Sequence, residues 1–120
     1  TVFPGARSFF HSKGVGARLD FVSVHFYPEK GEVEKALKAL TVYQVGKPLL
    51  VEEMFPLRCS VEELDAFVEG CRSIADGWIG FFWGQTPAQS GPQQENPFQA
   101  VLMKSWLEYF QRKSSKIVFP

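Results

Sequence analysis

A chain of 120 residues, 45 % apolar and 15 % aromatic, holds enough apolar material for a hydrophobic core, and its 13 basic and 13 acidic side chains cancel to a formal net charge of zero. With no basic run and no apolar stretch near the ~20 residues that a bilayer span requires, neither nucleic acid nor membrane is an expected partner. Thr1 to Gly16 lack the charged and apolar regions of a signal peptide.

Residues 1–18 contain Pro4, Gly5, Gly14 and Gly16 without a sustained period, which predicts a loop with one short helical turn around Arg7 to His11. Leu19 to Pro28 is rich in β-branched and aromatic residues and predicts a strand. One of its faces carries Val22, Val24 and Phe26. The other carries Phe21, Ser23, His25 and Tyr27 and becomes polar toward the carboxyl end. Such a strand has one side under helices and the other opening into a site.

After a turn at Glu29-Lys30-Gly31, Val33, Ala36, Leu37 and Leu40 recur at helical spacing, with Glu34 and Lys38 set four apart as a surface pair. Lys47 to Glu53 follows as a short buried strand that ends in two adjacent carboxylates, Glu52 and Glu53. An acid at the carboxyl end of a core strand needs water or a polar site, because an unpaired buried charge is costly. Strict strand parity puts Glu53 on the face of Val51 and sends Glu52 to the other, toward the helical layer. Ser60 and Glu63 form a capping-box pattern before the stripe Leu64, Phe67, Val68, Cys71 and Ile74.

Cys59 and Cys71 make neither a disulfide framework nor a Cys-x-x-Cys pair, and Cys71 on that apolar stripe reads as a buried thiol. Asp76-Gly77 turns the chain into a third apolar strand, Trp78 to Gly84, which brings Trp83 near its end. Trp78, of opposite parity, reads as packing. After a polar loop, Gln85 to Glu95, Asn96-Pro97 opens a last helix whose stripe is Val101, Leu102, Trp106, Tyr109 and Phe110, and 112–120 read as a basic tail.

The pattern is strand and helix three times over, with His25 and Glu53 28 residues apart and Glu53 and Trp83 30 apart. That is the length of a βαβ unit, so an α/β fold with parallel neighbours is predicted over 19–111, and the strand ends bearing His25, Glu53 and Trp83 should lie side by side.

Three segments in this order resemble the last three βα units of the clan A glycoside hydrolase barrels, most closely the cellulase and mannanase relatives of family five. His25-Phe26-Tyr27-Pro28 resembles the His-x-Tyr that ends the sixth strand of a TIM barrel. Lys47-Pro48-Leu49-Leu50-Val51-Glu52-Glu53 resembles the segment that ends the seventh strand with the catalytic nucleophile. Gly77 to Trp83 resembles the eighth strand, whose tryptophan floors a sugar subsite.

The resemblance implies Glu53 as nucleophile of a retaining hydrolase of β-linked glycans, with His25, Tyr27 and Trp83 binding substrate and Tyr27 hydrogen-bonded to the nucleophile. It also implies no cofactor, no metal, a polysaccharide or oligosaccharide substrate and a secreted or periplasmic setting. The family's glycine two residues after the nucleophile is absent, since Phe55 and Pro56 stand here, which leaves Glu52 as the alternative register.

Retaining chemistry uses a second carboxyl group about 5–5.5 Å from the nucleophile. The family's acid/base follows an asparagine on the fourth strand, and Glu29, Glu32 and Glu95 lack that context. A full barrel takes about 250 residues, so the expectation is the carboxyl-terminal part of a larger enzyme that shares its barrel with an amino-terminal half. The alternative is a non-catalytic barrel relative that retained only carbohydrate binding.

Overall fold

The computed structural model describes residues 12–80, 84, 86–89 and 96–115. The turn expected at Arg7 to His11, Trp83, Glu95 and most of its loop, and 116–120 lie outside the described residues. The chain is α/β and divides into two compact units, Thr1–Phe81 and Phe82–Pro120. The first runs α1 (Lys13–Gly16), β1 (Val22–His25), α2 (Val33–Leu40), β2 (Leu49–Met54), α3 (Val61–Gly70) and β3 (Gly77–Gly80). The second contains α4 (Pro97–Ser114).

The three strands form one sheet in the order β1-β2-β3, and both pairings are parallel. Parallel neighbours cannot be joined by a hairpin, and α2 and α3 are the crossovers. Val22, Val24, Leu49 and Val51 form one face of the sheet, none more than 5 % exposed. Leu40 of α2 and Leu64 and Phe67 of α3 are fully buried. Phe26, the first residue after β1, lays its ring on that of Phe67 with centroids 5.4 Å apart and planes 3° from parallel. The opposite face is more open. Ser23 and Leu50 are half-buried there, and Phe21 and Ile79 are 52 % and 55 % exposed.

Local chemistry sets the helix starts. The Ser60 hydroxyl accepts from the Glu63 N–H, and the Glu63 carboxylate accepts from the Ser60 N–H, closing the capping box. The same carboxylate also accepts from Gly31 N–H at 2.7 Å, which ties the β1–α2 loop to α3. These two backbone donors hold Glu63 below the usual carboxylate range. Gly31 has φ of 74°, a left-handed conformation that costs any other residue energy. Gly70 serves by size, because a Cβ there would meet a Leu37 methyl at 2.7 Å where α2 and α3 touch. Asn96 caps α4 through its side chain, with Pro97 in the first turn.

Several details differ from the sequence reading. The Lys13–Gly16 helix forms where two glycines suggest loop, started by the Ser12 hydroxyl accepting from the Val15 N–H. β1 covers only Val22–His25, although the Phe26 N–H still donates to the Glu53 carbonyl at 2.9 Å before the chain reaches Pro28. α4 continues through Arg112 and Lys113, cations that suit a helix carboxyl terminus, so the tail is helical to Ser114. Val101 of its predicted stripe is 60 % exposed. The ion pair on the first turn of α2 joins Lys35 to Glu32. Both cysteines are free, and Cys71 is fully buried, accepting from the Trp78 indole N–H at 3.0 Å.

A candidate active site at the carboxyl ends of the strands

The site is made by an extra residue in β2. Val22, Ser23 and Val24 pair in step with Leu49, Leu50 and Val51, and then His25 pairs with Glu53, skipping Glu52. On the other side Val51 pairs with Trp78 and Met54 with Gly80, so three steps along β2 match two along β3. This is a β-bulge, in which two residues of one strand oppose one residue of its neighbour.

The bulge reverses the parity of everything after it. Val51 lies with Val24 on the helix-covered face, yet Met54 is buried as well, at 2 % exposure, three residues later. Glu53 is thereby moved onto the more open face with His25, opposite to Val51. Strict alternation would have turned it under the helices.

Both acids reach the same imidazole. His25 Nδ1 lies 3.2 Å from Glu53 Oε2, and His25 Nε2 lies 3.3 Å from Glu52 Oε1. The Tyr27 hydroxyl donates a hydrogen bond to Glu53 Oε1. Two expectations about Glu52 and Glu53 are therefore corrected. Glu53 does not share a face with Val51, and Glu52 does not turn into the helical layer but stands half-exposed, 42 %, beside His25. The signal for this was present in the sequence as an apolar spacing of three, Val51 to Met54, inside a strand whose period is two.

Of the four predicted site residues, His25, Tyr27 and Glu53 are brought together; Trp83 lies outside the described residues. Glu53, with 21 % of its side chain exposed, is more sheltered than His25 or Glu52, both at 42 %. Burial, with the hydrogen bond and the charge of Glu53 adding to it, holds the Tyr27 phenol well above its ordinary value. Tyr27 therefore keeps its proton at neutral pH and acts as a donor.

A cavity of about 290 Å³ adjoins Tyr27, lined also by Pro28, Glu29, Glu32 and Lys35. Its two acids are already engaged, Glu29 with Arg58 at 3.0 Å and Glu32 with Lys35. Among the described residues no group of three or more His, Cys, Asp or Glu side chains could hold a metal ion, and no helix is long and apolar enough to cross a membrane. No protein-family model matches the chain, and no curated protein or solved structure matches it either.

The raised Tyr27 value has a stability consequence. The unfolded chain loses the phenol proton near pH ~10, whereas the folded chain holds it beyond that. The contribution is therefore fully present below pH ~10 and is lost as pH rises toward the folded value. Tyr27→Phe should lose less stability than the wild type between about pH 8 and about pH 10.5, read as urea midpoints. Equal losses in the two proteins would contradict the hydrogen bond to Glu53.

Proposed function

We propose that this chain is the carboxyl-terminal part of a retaining glycoside hydrolase barrel that cleaves β-linked glycans, with Glu53 as nucleophile. One observation carries the reading: a single sheltered carboxylate accepts from the Tyr27 hydroxyl on Oε1 and has His25 Nδ1 3.2 Å from Oε2, at the carboxyl ends of parallel strands. That end is where barrel enzymes carry out their chemistry. A carboxylate oxygen has two acceptor directions. A single neighbour on each orients Glu53 and still leaves a lone pair to attack an anomeric carbon.

In the proposed reaction the sugar passes from its glycosidic oxygen to Glu53, forming a glycosyl ester, and the leaving oxygen takes a proton from an acid on another part of the barrel. Water activated by that same group then attacks the ester and frees Glu53. Tyr27 holds the carboxylate in line. Trp83 would supply a flat apolar surface for the pyranose. The missing partners fit the sheet, because β1 and β3 are each paired on one side only among the described residues, and open edges beside an open apolar face invite further strands.

The test is to treat the complete protein with 2-fluoro glycosides of several β-linked sugars and map the modified peptide. Ester formation on Glu53 is the expected result. Ester on Glu52 reassigns the nucleophile, and no ester with any sugar leaves the non-catalytic relative as the better reading.

A further inference from the structure

Resting on that reading, we propose that Glu52 is a positioning residue that clamps the His25 ring against the nucleophile from the far side. An ionised carboxylate only accepts, so both contacts are attractive when the ring carries an N–H on each nitrogen, and an imidazolium flanked in this way is held in register from both ends. Here Nδ1 meets Glu53 at 3.2 Å and Nε2 meets Glu52 at 3.3 Å. Without the second contact, rotation about the Cα–Cβ and Cβ–Cγ bonds would carry Nδ1 away from Glu53, because 42 % of the His25 side chain is exposed.

The bulge gives this arrangement its physical cause. An uninterrupted strand can offer only one of two adjacent acids to a given face, while a bulge lets both oppose the same neighbour, here His25. Sited on a face this open to water, the pair adds little to stability. Its effect is on orientation: the chain Tyr27, Glu53, His25, Glu52 runs from phenol to carboxylate to imidazole to carboxylate, and the last member anchors it. In this scheme Glu52 does not touch the reacting carbon and acts through His25.

Two variants separate the contact from the charge. Glu52→Ala removes the acceptor, whereas Glu52→Gln keeps an amide oxygen that can still take the Nε2 proton. In the complete protein, with a glycan substrate that the wild type hydrolyses, Glu52→Ala should lower kcat about tenfold or more with KM within about twofold, as expected when a reacting group is misoriented. Glu52→Gln should stay within about threefold of the wild type.

In the chain itself, the vicinal Hα–Hβ couplings of His25 should report one χ1 rotamer in the wild type and in Glu52→Gln, and rotamer averaging in Glu52→Ala. If the 2-fluoro reagent labels Glu53 in the wild type but kcat and the His25 couplings are the same in Glu52→Ala, the clamp is refuted and the hydrolase reading stands. Equal loss in the Gln and Ala variants also refutes it, because charge and not the contact would then be at work. If nothing labels, the hydrolase reading falls and the catalytic role of the clamp falls with it.

Discussion

In the reaction proposed for the complete protein, replacing Glu53 by Gln should leave a folded chain with kcat for glycan cleavage down by on the order of 10⁴-fold. Gln has the size of Glu and keeps an oxygen for the Tyr27 hydroxyl, so the hydrogen bond at Oε1 has a replacement and the urea midpoint should move little. What is lost is the negative charge and the nucleophile. An amide cannot form the glycosyl ester, and its NH₂ could stand against His25 Nδ1, which now lies 3.2 Å from Glu53 Oε2.

A companion variant makes the result specific. In Glu53→Ala the vacated space admits a small anion, and azide added at high concentration should restore turnover of an activated glycoside, giving a glycosyl azide of inverted configuration. Inversion follows because azide would attack from the side that Glu53 occupied and no second displacement follows. Retention of more than about a tenth of wild-type kcat in Glu53→Gln would remove Glu53 from the chemistry.

The second large effect is on the fold. Phe67→Ala should cost about 3–5 kcal/mol, a large share of the roughly 5–15 kcal/mol that keeps an ordinary domain folded. Phe67 is fully buried and its ring lies parallel to that of Phe26 at 5.4 Å. Truncation would remove both the buried area and the stacking partner, and the surrounding Leu64 and Leu40, themselves fully buried, can collapse only partly into the space.

The consequence reaches the site through the backbone, since Phe26 is the residue between His25 and Tyr27. Loosening its ring loosens the alignment of both donors to Glu53. Equilibrium urea unfolding of the first unit's core, followed by tryptophan fluorescence, reads the loss. A fall below about 1 kcal/mol would show that the Phe26–Phe67 stack does not anchor α3 to the sheet. Phe67→Leu, which keeps most of the volume, should cost markedly less.

Much of the first unit was legible from short-range chemistry. The run Val22-Ser23-Val24-His25 alternates buried and half-buried as its composition implies, and the capping box at Ser60 and Glu63 closes as its three-residue spacing requires. Asn96 and Pro97 open α4 in the same local way. Elements whose signals were weak went unread: Lys13–Gly16 is a single helical turn held by one serine cap, and α4 outlasts its apolar stripe because Arg112 and Lys113 favour the helix end.

Parallel pairing followed from the rhythm of strands and helices, and His25, Tyr27 and Glu53 do converge. Strand parity, however, favours Glu53 over Glu52 only along an unbroken β2. The ladder is broken at the very residues it was applied to.

Sequence alone determined which residues could take part: an imidazole and a phenol two apart at the end of one strand, and paired carboxylates at the end of the next. Those are local facts, set by side-chain chemistry and by the two-residue period of an extended chain. Only the tertiary structure decided that Glu53 meets Tyr27 on one oxygen and His25 on the other, and that Glu52 takes the far side of the same ring. The reason is that a bulge arises from pairing. β2 must match β1 and β3 at once while keeping Val51 and Met54 buried, and the extra residue that this demands sets where both acids point.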